Sequence, residues 1–368
     1  MESVVTIKVK IPFNEILLET MEQYSTSIQE VIDYGYNLHT SDKIELHDLT
    51  YYSIRKHTQL PSQLVISSRN IACAILKKYK TKPTVKKYMT IRYDHRSFSI
   101  KNNVVSLSSM KGRIKIPIKI PTYFNKYKDY EVRCANLFIR KNKMFLNIVV
   151  AKEVDANNDF CDNGKIVGVD FGINNIAVTS EKQFFKGVND RLNRFQKLRS
   201  SLQSKGTKSA KRHLKRLSGR QKRFMTDVNH CISKRIVGNL DKGDTIVLEI
   251  LKGIRNKNRG KTMNRLLSNW SFYQLNSFIK YKSVQRGIQI IEVSPRYTSK
   301  TCSRCREVYS ERPKHRGFFK CLHCGYTSNA DLNASFNIRN RLKLLVNSRG
   351  LFVNKPIVAS LNIQLQAT

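Results

Sequence analysis

The opening stretch SVVTIKVKI alternates apolar and polar residues with a period of two, which predicts a strand closed by Pro12. Helical spacing follows. Ile16, Leu17, Met21, Tyr24, Ile28, Val31 and Ile32 recur at threes and fours up to about Tyr36, and a segment opened by Pro61 repeats the pattern with Leu64, Val65, Ile71 and Ile75 through Lys78. Alternation returns between about Lys87 and Lys152 in YMTIRYDH, GRIKIPIKI and YEVRCANLFIRKNKMFLNIVV, the last reading as a hairpin that turns at Lys141, Asn142 and Lys143. A strand, a helical insert and further strands predict one β-barrel interrupted by a helical domain.

A second unit begins near Gly164 with KIVGVDFGINNIAVTS, an apolar strand, a Gly and Asn turn and a second strand. Residues 191–223 then carry thirteen Lys or Arg and no Asp or Glu, with Leu192, Phe195, Leu198, Leu202, Leu214 and Leu217 at helical spacing. This pattern predicts two basic amphipathic helices joined at Gly206. DTIVLEIL reads as a buried strand, NRLLSNWSFYQLNSFIKYKSVQRG as a helix, IQIIEVSP as a strand, and a last helix runs from about Ala330 to Leu345. There is no internal repeat, and the tail after Asn347 is mixed. At 368 residues the chain exceeds what one compact core usually holds, so two or three domains are expected.

Charge changes the picture. Lys and Arg total 67 against 27 acids, a net charge of +40. Such an excess repels itself unless a polyanion neutralises it, and counterion release from phosphates is the usual source of binding energy, so nucleic acid is the leading partner. The bland alternative is a ribosome-associated or merely solvated basic protein. No run of 18 apolar residues exists, and the start alternates instead of showing a basic region and an apolar block; the expectation is a protein neither secreted nor membrane-spanning. Cys73, Cys134, Cys161 and Cys231 are scattered in apolar or helical patterns, where a free thiol behaves as a small hydrophobe, and disulfides are not expected.

The other four cysteines are paired. Cys302-x2-Cys305, fifteen residues, then Cys321-x2-Cys324 is zinc-ribbon spacing: each knuckle offers two thiolates to one side of a tetrahedron. The alternatives are four reduced cysteines without metal, or replacement of one sulfur by His315 or His323. A cation held by four thiolates is coordinatively closed, so one Zn²⁺ here would be structural and chemistry must come from elsewhere. Three acids stand at suitable places: Asp170 at the end of an apolar strand in GVDFG, Glu249 within another in VLEIL, and Asp331 opening the helix after the ribbon. An acid in a buried strand costs several kcal/mol unless a cation or donor compensates it. Each acid alone reads equally well as a capping or paired carboxylate. Together they suit two Mg²⁺ ions roughly 4 Å apart, acting on a phosphodiester.

The placements resemble those of the ribonuclease H fold, and the order Asp, Glu, Asp with the Glu on the central strand is that of resolvase-like RuvC nucleases. VGVDFGINNIAVTS, VLEIL, SPRYTSKTCSRC and CLHCGYTSNADLNASFNI resemble the signatures of TnpB, the OrfB protein of insertion sequences, related to Fanzor proteins and compact type V CRISPR effectors. The resemblance covers residues 164–340 by motif and the N-terminal half by architecture. It implies a multidomain α/β chain: a first strand of a WED β-barrel at 1–12, a helical recognition domain at 13–86, the rest of the WED barrel at 87–160, and a RuvC-like nuclease domain at 161–298 with a basic helical insert at 191–236. A zinc ribbon at 299–328, the last RuvC helix at 329–346 and a tail at 347–368 complete it. By motif match Asp170, Glu249 and Asp331 take the catalytic, Mg²⁺-holding roles, and Cys302, Cys305, Cys321 and Cys324 hold the Zn²⁺. The implied activity is RNA-guided, Mg²⁺-dependent cutting of double-stranded DNA next to a short target-adjacent motif, with an omega-type guide RNA and target DNA as partners. No membrane association is implied, and a monomer is expected. The setting would be the cytoplasm or nucleoid of a prokaryote, or the nucleus for a eukaryote or its virus. Two departures from the family pattern are Arg306, where a knuckle Gly is usual, and Phe171, where Leu or Ile is common.

Softer features complete the reading. Arg194, Lys211, Arg212, Lys215, Arg216, Arg220, Lys222 and Arg223 are expected to contact a nucleic-acid backbone rather than form a solvated face. Asp227 and His230 read as a packed hydrogen-bonded pair, and Trp270, Phe272 and Tyr273 as a core-facing stripe rather than base-stacking groups. Residues 252–265 resemble a lid loop. Two other functions remain open at this stage: a guided DNA-binding repressor without nuclease activity, and a non-catalytic zinc-ribbon RNA-binding protein, which would leave the buried acids without a purpose.

Overall fold

The period-two opening is strand β1 (Glu2–Ile11), which buries Ser3, Ile7, Val9 and Ile11 on one face. In this computed structural model the described residues are 2–79, 81–154, 164–251, 260, 264, 271–308 and 317–347, and the chain divides into two compact units, 2–153 and 154 onward. The boundary expected at 160/161 lies in 155–163, outside the described residues.

In the first unit β1 is followed by helices α1 (Glu15–Asn37), α2 (Lys43–His57) and α3 (Ser62–Leu76), strands β2 (Ile91–Tyr93), β3 (Phe98–Lys101), β4 (Val104–Ser109) and β5 (Gly112–Pro117), a 3-10 turn (Thr122–Tyr127), and strands β6 (Glu131–Arg140) and β7 (Lys143–Glu153). The strands pair as two sheets, β1-β7-β6-β2 and β3-β4-β5, rather than as a single ring. Each carries a two-residue hairpin whose central residues are left-handed, Lys141 (φ 52°) and Asn142 (φ 56°) in one and Asn102 (φ 50°) and Asn103 (φ 59°) in the other. Arg140 pairs with Lys143, so Lys143 is already strand. Such turns match the right-handed twist of the flanking strands, and Asn tolerates them best after Gly. The Asn14 side chain accepts a 3.0 Å bond from the Leu17 amide and caps α1. Helix α2 is absent from the sequence expectation: its core-facing residues are only Leu46, Thr50 and Ile54 in a mostly polar stretch, although Asp42 caps it through the amides of Ile44 and Glu45. Strands and helices share one core that includes Ile7, Val9, Leu17, Tyr24, Leu64, Tyr93 and Leu146.

The second unit is built on five strands, β8 (Ile166–Asp170), β9 (Asn175–Thr179), β10 (Phe184–Lys186), β11 (Thr245–Glu249) and β12 (Gln289–Val293), in the order β10-β9-β8-β11-β12. β8, β11 and β12 are parallel, whereas β9 pairs antiparallel with β8 and β10 antiparallel with β9. Helices α4 (Asn189–Lys205), α5 (Lys208–Gly238), α6 (Phe272–Gln285) and α7 (Ala330–Asn347) complete it, with a short hairpin β13 (Phe318–Lys320) and β14 (Thr327–Asn329) ahead of α7. All five residues of β11 are buried, as expected of a parallel strand covered on both faces. Alternation sorts them. Ile246 and Leu248 join Val167, Val169, Ile232, Ile236, Leu275 and Ile279 in the core beneath α5 and α6, while Val247 packs with Ile338 and Leu342 of α7. Gly206 (φ 63°) breaks the chain between α4 and α5 as expected, and α5 runs unbroken for 31 residues. Among the described residues no helix is long and apolar enough to cross a membrane.

Candidate active site

The period-two rule places the acids before any distance is measured. Gly168 lies against α7 while Val167 and Val169 face the opposite core, so Asp170 falls on the α7 face of β8. Glu249 likewise follows Val247, and β8 and β11 are neighbours in register, Leu248 opposite Val169. Asp331 enters from above in the first turn of α7, whose N-terminus is capped by Asn329 accepting from the amides of Asp331 (3.0 Å) and Leu332 (3.2 Å). A helix N-terminus carries partial positive charge and suits a carboxylate there.

Asp170 feels both of the other acids. Burial pushes the Asp170 carboxyl well above the ordinary carboxylate range, and the charges of Glu249 and then Asp331 push it further, against the opposing backbone amide of Phe171. Glu249, 6% exposed, is raised by burial and held back by the Thr298 hydroxyl, which donates to Oε1 at 2.6 Å, and by the Arg341 guanidinium. Burial in turn lowers Arg341, with Glu249 acting against it. Asn175 donates from Nδ2 to Asp331 Oδ2 at 2.7 Å. Three carboxylates make an oxygen-only donor set, the kind that suits a hard divalent cation such as Mg²⁺.

Beside this site the four paired cysteines gather. Their sulfurs all lie within 4.8 Å of one another, with 3.8 Å between Cys302 and Cys324 and 3.5 Å between Cys305 and Cys321. A tetrahedron with Zn–S bonds of about 2.3 Å has edges of about 3.8 Å, so the set fits zinc. The two knuckles repeat each other: the Cys302 amide donates to Glu307 O and Arg306 donates to Cys302 O, as the Cys321 amide donates to Tyr326 O and Gly325 donates to Cys321 O. Both turn through a left-handed residue, Gly325 (φ 69°) and Arg306 (φ 67°). Arg306 therefore occupies the corner a glycine would fill without strain. His323 is exposed and outside the sulfur cluster, and His315 lies outside the described residues.

Other expectations fare differently. Arg194, Lys211, Arg212, Lys215, Arg216, Arg220, Lys222 and Arg223 are carried on α4 and α5, and none forms an ion pair among the described residues. The apolar stripe beneath them joins the two helices, with Phe195 against Phe224 and Arg191 over the Phe224 ring. His230 stacks face-on against Phe278 at 4.0 Å rather than pairing by a hydrogen bond with Asp227, one turn earlier on α5. Tyr273 is 77% exposed, not core, although Phe272 packs inward as expected. Trp270, Cys161 and all of 252–265 except Gly260 and Asn264 lie outside the described residues, as does the tail from 348. Sequence reasoning missed Asn175, Thr298 and Arg341. Polar residues at Asn333, Asn337 and Arg341, spaced by four along the helix, were the available signal for a polar contact there.

Comparison with known proteins agrees with the motif reading. Residues 148–255 match the OrfB_IS605 family model, described as "Probable transposase", and residues 272–338 match the TNB domain of Cas12f1-like proteins. The CRISPR-associated endodeoxyribonuclease Cas12f1 of Sulfoacidibacillus thermotolerans is 31% identical over 57% of this chain and 53% of that protein. TnpB-like proteins of Aquifex aeolicus and Methanocaldococcus jannaschii are 39% and 32% identical, over 26% and 39% of this chain and 33% and 51% of theirs. The chain thus spans about half the length, or less, of these curated relatives. A cryo-EM structure of a Cas12f1-sgRNA-target DNA complex aligns over 92% of this chain and 99% of that one, at 18% identity and a TM-score of 0.39. The resemblance to TnpB and its Cas12f relatives is carried by both matched segments.

Proposed function

We propose that the protein is an RNA-guided, divalent-cation-dependent DNA endonuclease of TnpB type that cuts double-stranded DNA beside a short target-adjacent motif. The observation that carries this reading is the convergence of Asp170, Glu249 and Asp331 at one end of the β8–β11 pair, where the charges of Glu249 and Asp331 raise the cost of ionising Asp170. The sheet order β10-β9-β8-β11-β12, followed by a helix that brings the last acid, supports a ribonuclease H-like RuvC reading of this unit. The names of the relatives support nucleic-acid cleavage as the reaction. On this reading 2–153 would serve as the WED and recognition regions, and the four-cysteine segment as a ribbon holding one structural Zn²⁺.

Asp170, Glu249 and Asp331 would hold two Mg²⁺ ions, which when bound supply a nucleophilic water and neutralise the charge that develops on the phosphate. The chain's own residues do the rest. Buried carboxylates fix where the positive charge sits, and the low-dielectric walls of β8, β11 and α7 strengthen its pull on a phosphodiester. The water oxygen would bond to phosphorus and give up a proton to solvent, while the bond from phosphorus to one ester oxygen breaks and that oxygen leaves with a proton from solvent. Cations on α4 and α5 would hold a guide RNA or its heteroduplex by phosphate contacts.

The test is to sequence RNA that copurifies with the protein, reprogram its variable end, and assay cleavage of a matching duplex in Mg²⁺. Wild-type protein should cut and Asp170→Ala protein should not. An Asp170→Ala protein that still cuts at the wild-type rate would sink the assignment.

A further inference from the structure

The segment between β12 and the first knuckle touches both halves of the chemistry. It turns at Tyr297, whose φ of 63° is left-handed, and closes with the amides of Lys300 and Thr301 donating to Tyr297 O at 3.0 Å. One residue into this turn, Thr298 is buried and places its hydroxyl 2.6 Å from Glu249 Oε1. Pro295 O is the competing acceptor at 3.1 Å. A hydroxyl has one proton, and the shorter contact to a charged acceptor wins it. At the far end of the segment, Cys302 belongs to the sulfur cluster.

Helix α7, which brings Asp331, grips this same segment by its backbone. Asn337 donates from Nδ2 to Thr298 O (2.9 Å) and Thr301 O (2.6 Å), and Asn333 donates to Thr301 O (2.8 Å) while accepting from the Ser303 amide (2.9 Å). The Arg341 guanidinium donates to Ser294 O and Arg296 O. Residues 333, 337 and 341 share one helix face at a spacing of four. The backbone of 294–303 is therefore strapped to the helix bearing one acid while its Thr298 side chain holds another.

We propose that Thr298 is a positioning residue for Glu249, and that Asn333 and Asn337 act through it by fixing the strap that carries it. This rests on the reading of the three acids as a cation site. Carboxylates that coordinate a cation must stay within about 0.5 Å of the productive geometry. The Glu249 carboxylate has Oε1 committed to Thr298, which limits the rotamers open to the rest of the group and leaves its other oxygen for a cation. The Thr298 hydroxyl is the donor that the described residues supply to the Glu249 side chain.

The test uses the full chain with its copurified RNA and follows Mn²⁺ uptake by electron paramagnetic resonance. Subtracting the uptake of Asp170→Ala protein removes ions held by RNA, and zinc content and Tm are measured alongside. Thr298→Val keeps the shape and removes the donor, and should weaken Mn²⁺ binding about ten-fold with zinc and Tm unchanged, since a hydrogen bond to a charged group is worth about that factor. Thr298→Ser should restore binding to within about two-fold. Asn337→Asp, which removes the two bonds that Asn337 donates to the strap, should weaken binding in the same direction and supplies a second reading if the Val variant does not fold. Wild-type affinity in Thr298→Val, or a Ser variant as weak as Val, overturns the positioning role and leaves the cation site standing. Equal Mn²⁺ uptake by wild-type and Asp170→Ala proteins overturns the cation site, and the role of Thr298 with it.

Discussion

At the scale of single residues, Asp170 is a group the fold would rather not ionise. Its carboxyl is raised by burial and by two neighbouring charges, so between the ordinary carboxylate pKa near 4 and its raised value the folded chain keeps a proton that the unfolded chain has lost. Stability of the cation-free protein must therefore fall as pH rises through that window. Asp170→Asn should flatten the dependence and raise Tm at neutral pH by about 2–8 °C, for a gain of about 1–2 kcal/mol, while abolishing cleavage. Thermal melts in chelator at several pH values check this, and a variant that melts lower than wild type at pH 7 would refute it. A smaller effect belongs to Arg306. Its left-handed backbone matches that of Gly325 in the sister knuckle, so Arg306→Gly should add about 0.5–1 kcal/mol net of the chain entropy glycine loses. Melting of the zinc-loaded protein measures it, and an unchanged or lower Tm counts against the strain.

Elements meet most tightly where α7 crosses β8. A Cβ on Gly168 would come within 2.2 Å of Ser335 O and 2.6 Å of Arg339 N, both backbone atoms that cannot swing aside. Gly168→Ala should push away the helix that carries Asp331 from the strand that carries Asp170, costing roughly 3 kcal/mol and the cleavage activity together. Melting and a cleavage assay on that variant decide it, and wild-type behaviour in both would mean the crossing yields. The acids drew notice together rather than singly: each alone reads as a capping or paired carboxylate, but their strand, strand and helix placements in one order form a set. The donors that hold them were not legible. Thr298 lies 49 residues from Glu249 and Asn175 lies 156 from Asp331, and such pairings depend on strand order and register, which spacing within one segment does not encode. Helix α2 escaped for a different reason: three inward residues in fifteen leave little periodic signal, and packing decides. The sulfur cluster was read in full, since knuckle spacing is itself the geometry of the site.

For the molecule as a whole, a net charge of +40 makes salt the lever on binding. Replacing Lys211, Arg212, Lys215 and Arg216 with Gln should lower the slope of log affinity against log salt by about 3, at about 0.7–0.9 for each lost phosphate contact, with the cation site intact. RNA binding measured between low and moderate salt tests it, and an unchanged slope would show that these side chains face solvent. On the proposed four-sulfur site, zinc is the second global lever. A small thiolate module draws on the order of 10 kcal/mol of local folding energy from its metal, and here it anchors one end of the strap that holds Glu249. Cys321→Ser should lower zinc content and cleavage together, with no rescue by added Mg²⁺; full zinc content and normal cutting in that variant would contradict the four-sulfur site.

The cost of burying Asp170 and Glu249 also has an evolutionary side. Because the cluster opposes folding, neutral substitutions at Asp170 or Glu249 relieve the chain instead of harming it, whereas a one-residue insertion in β11 would exchange the inward faces of Val247 and Leu248 and break both cores at once. Descendants released from selection for cutting should accordingly drift by point substitution at the acids and keep the sheet, the ribbon and the basic helices. On the proposed function, loss of catalysis is the downhill direction for this architecture, and a folded, polyanion-binding protein without scissors is where that slope leads.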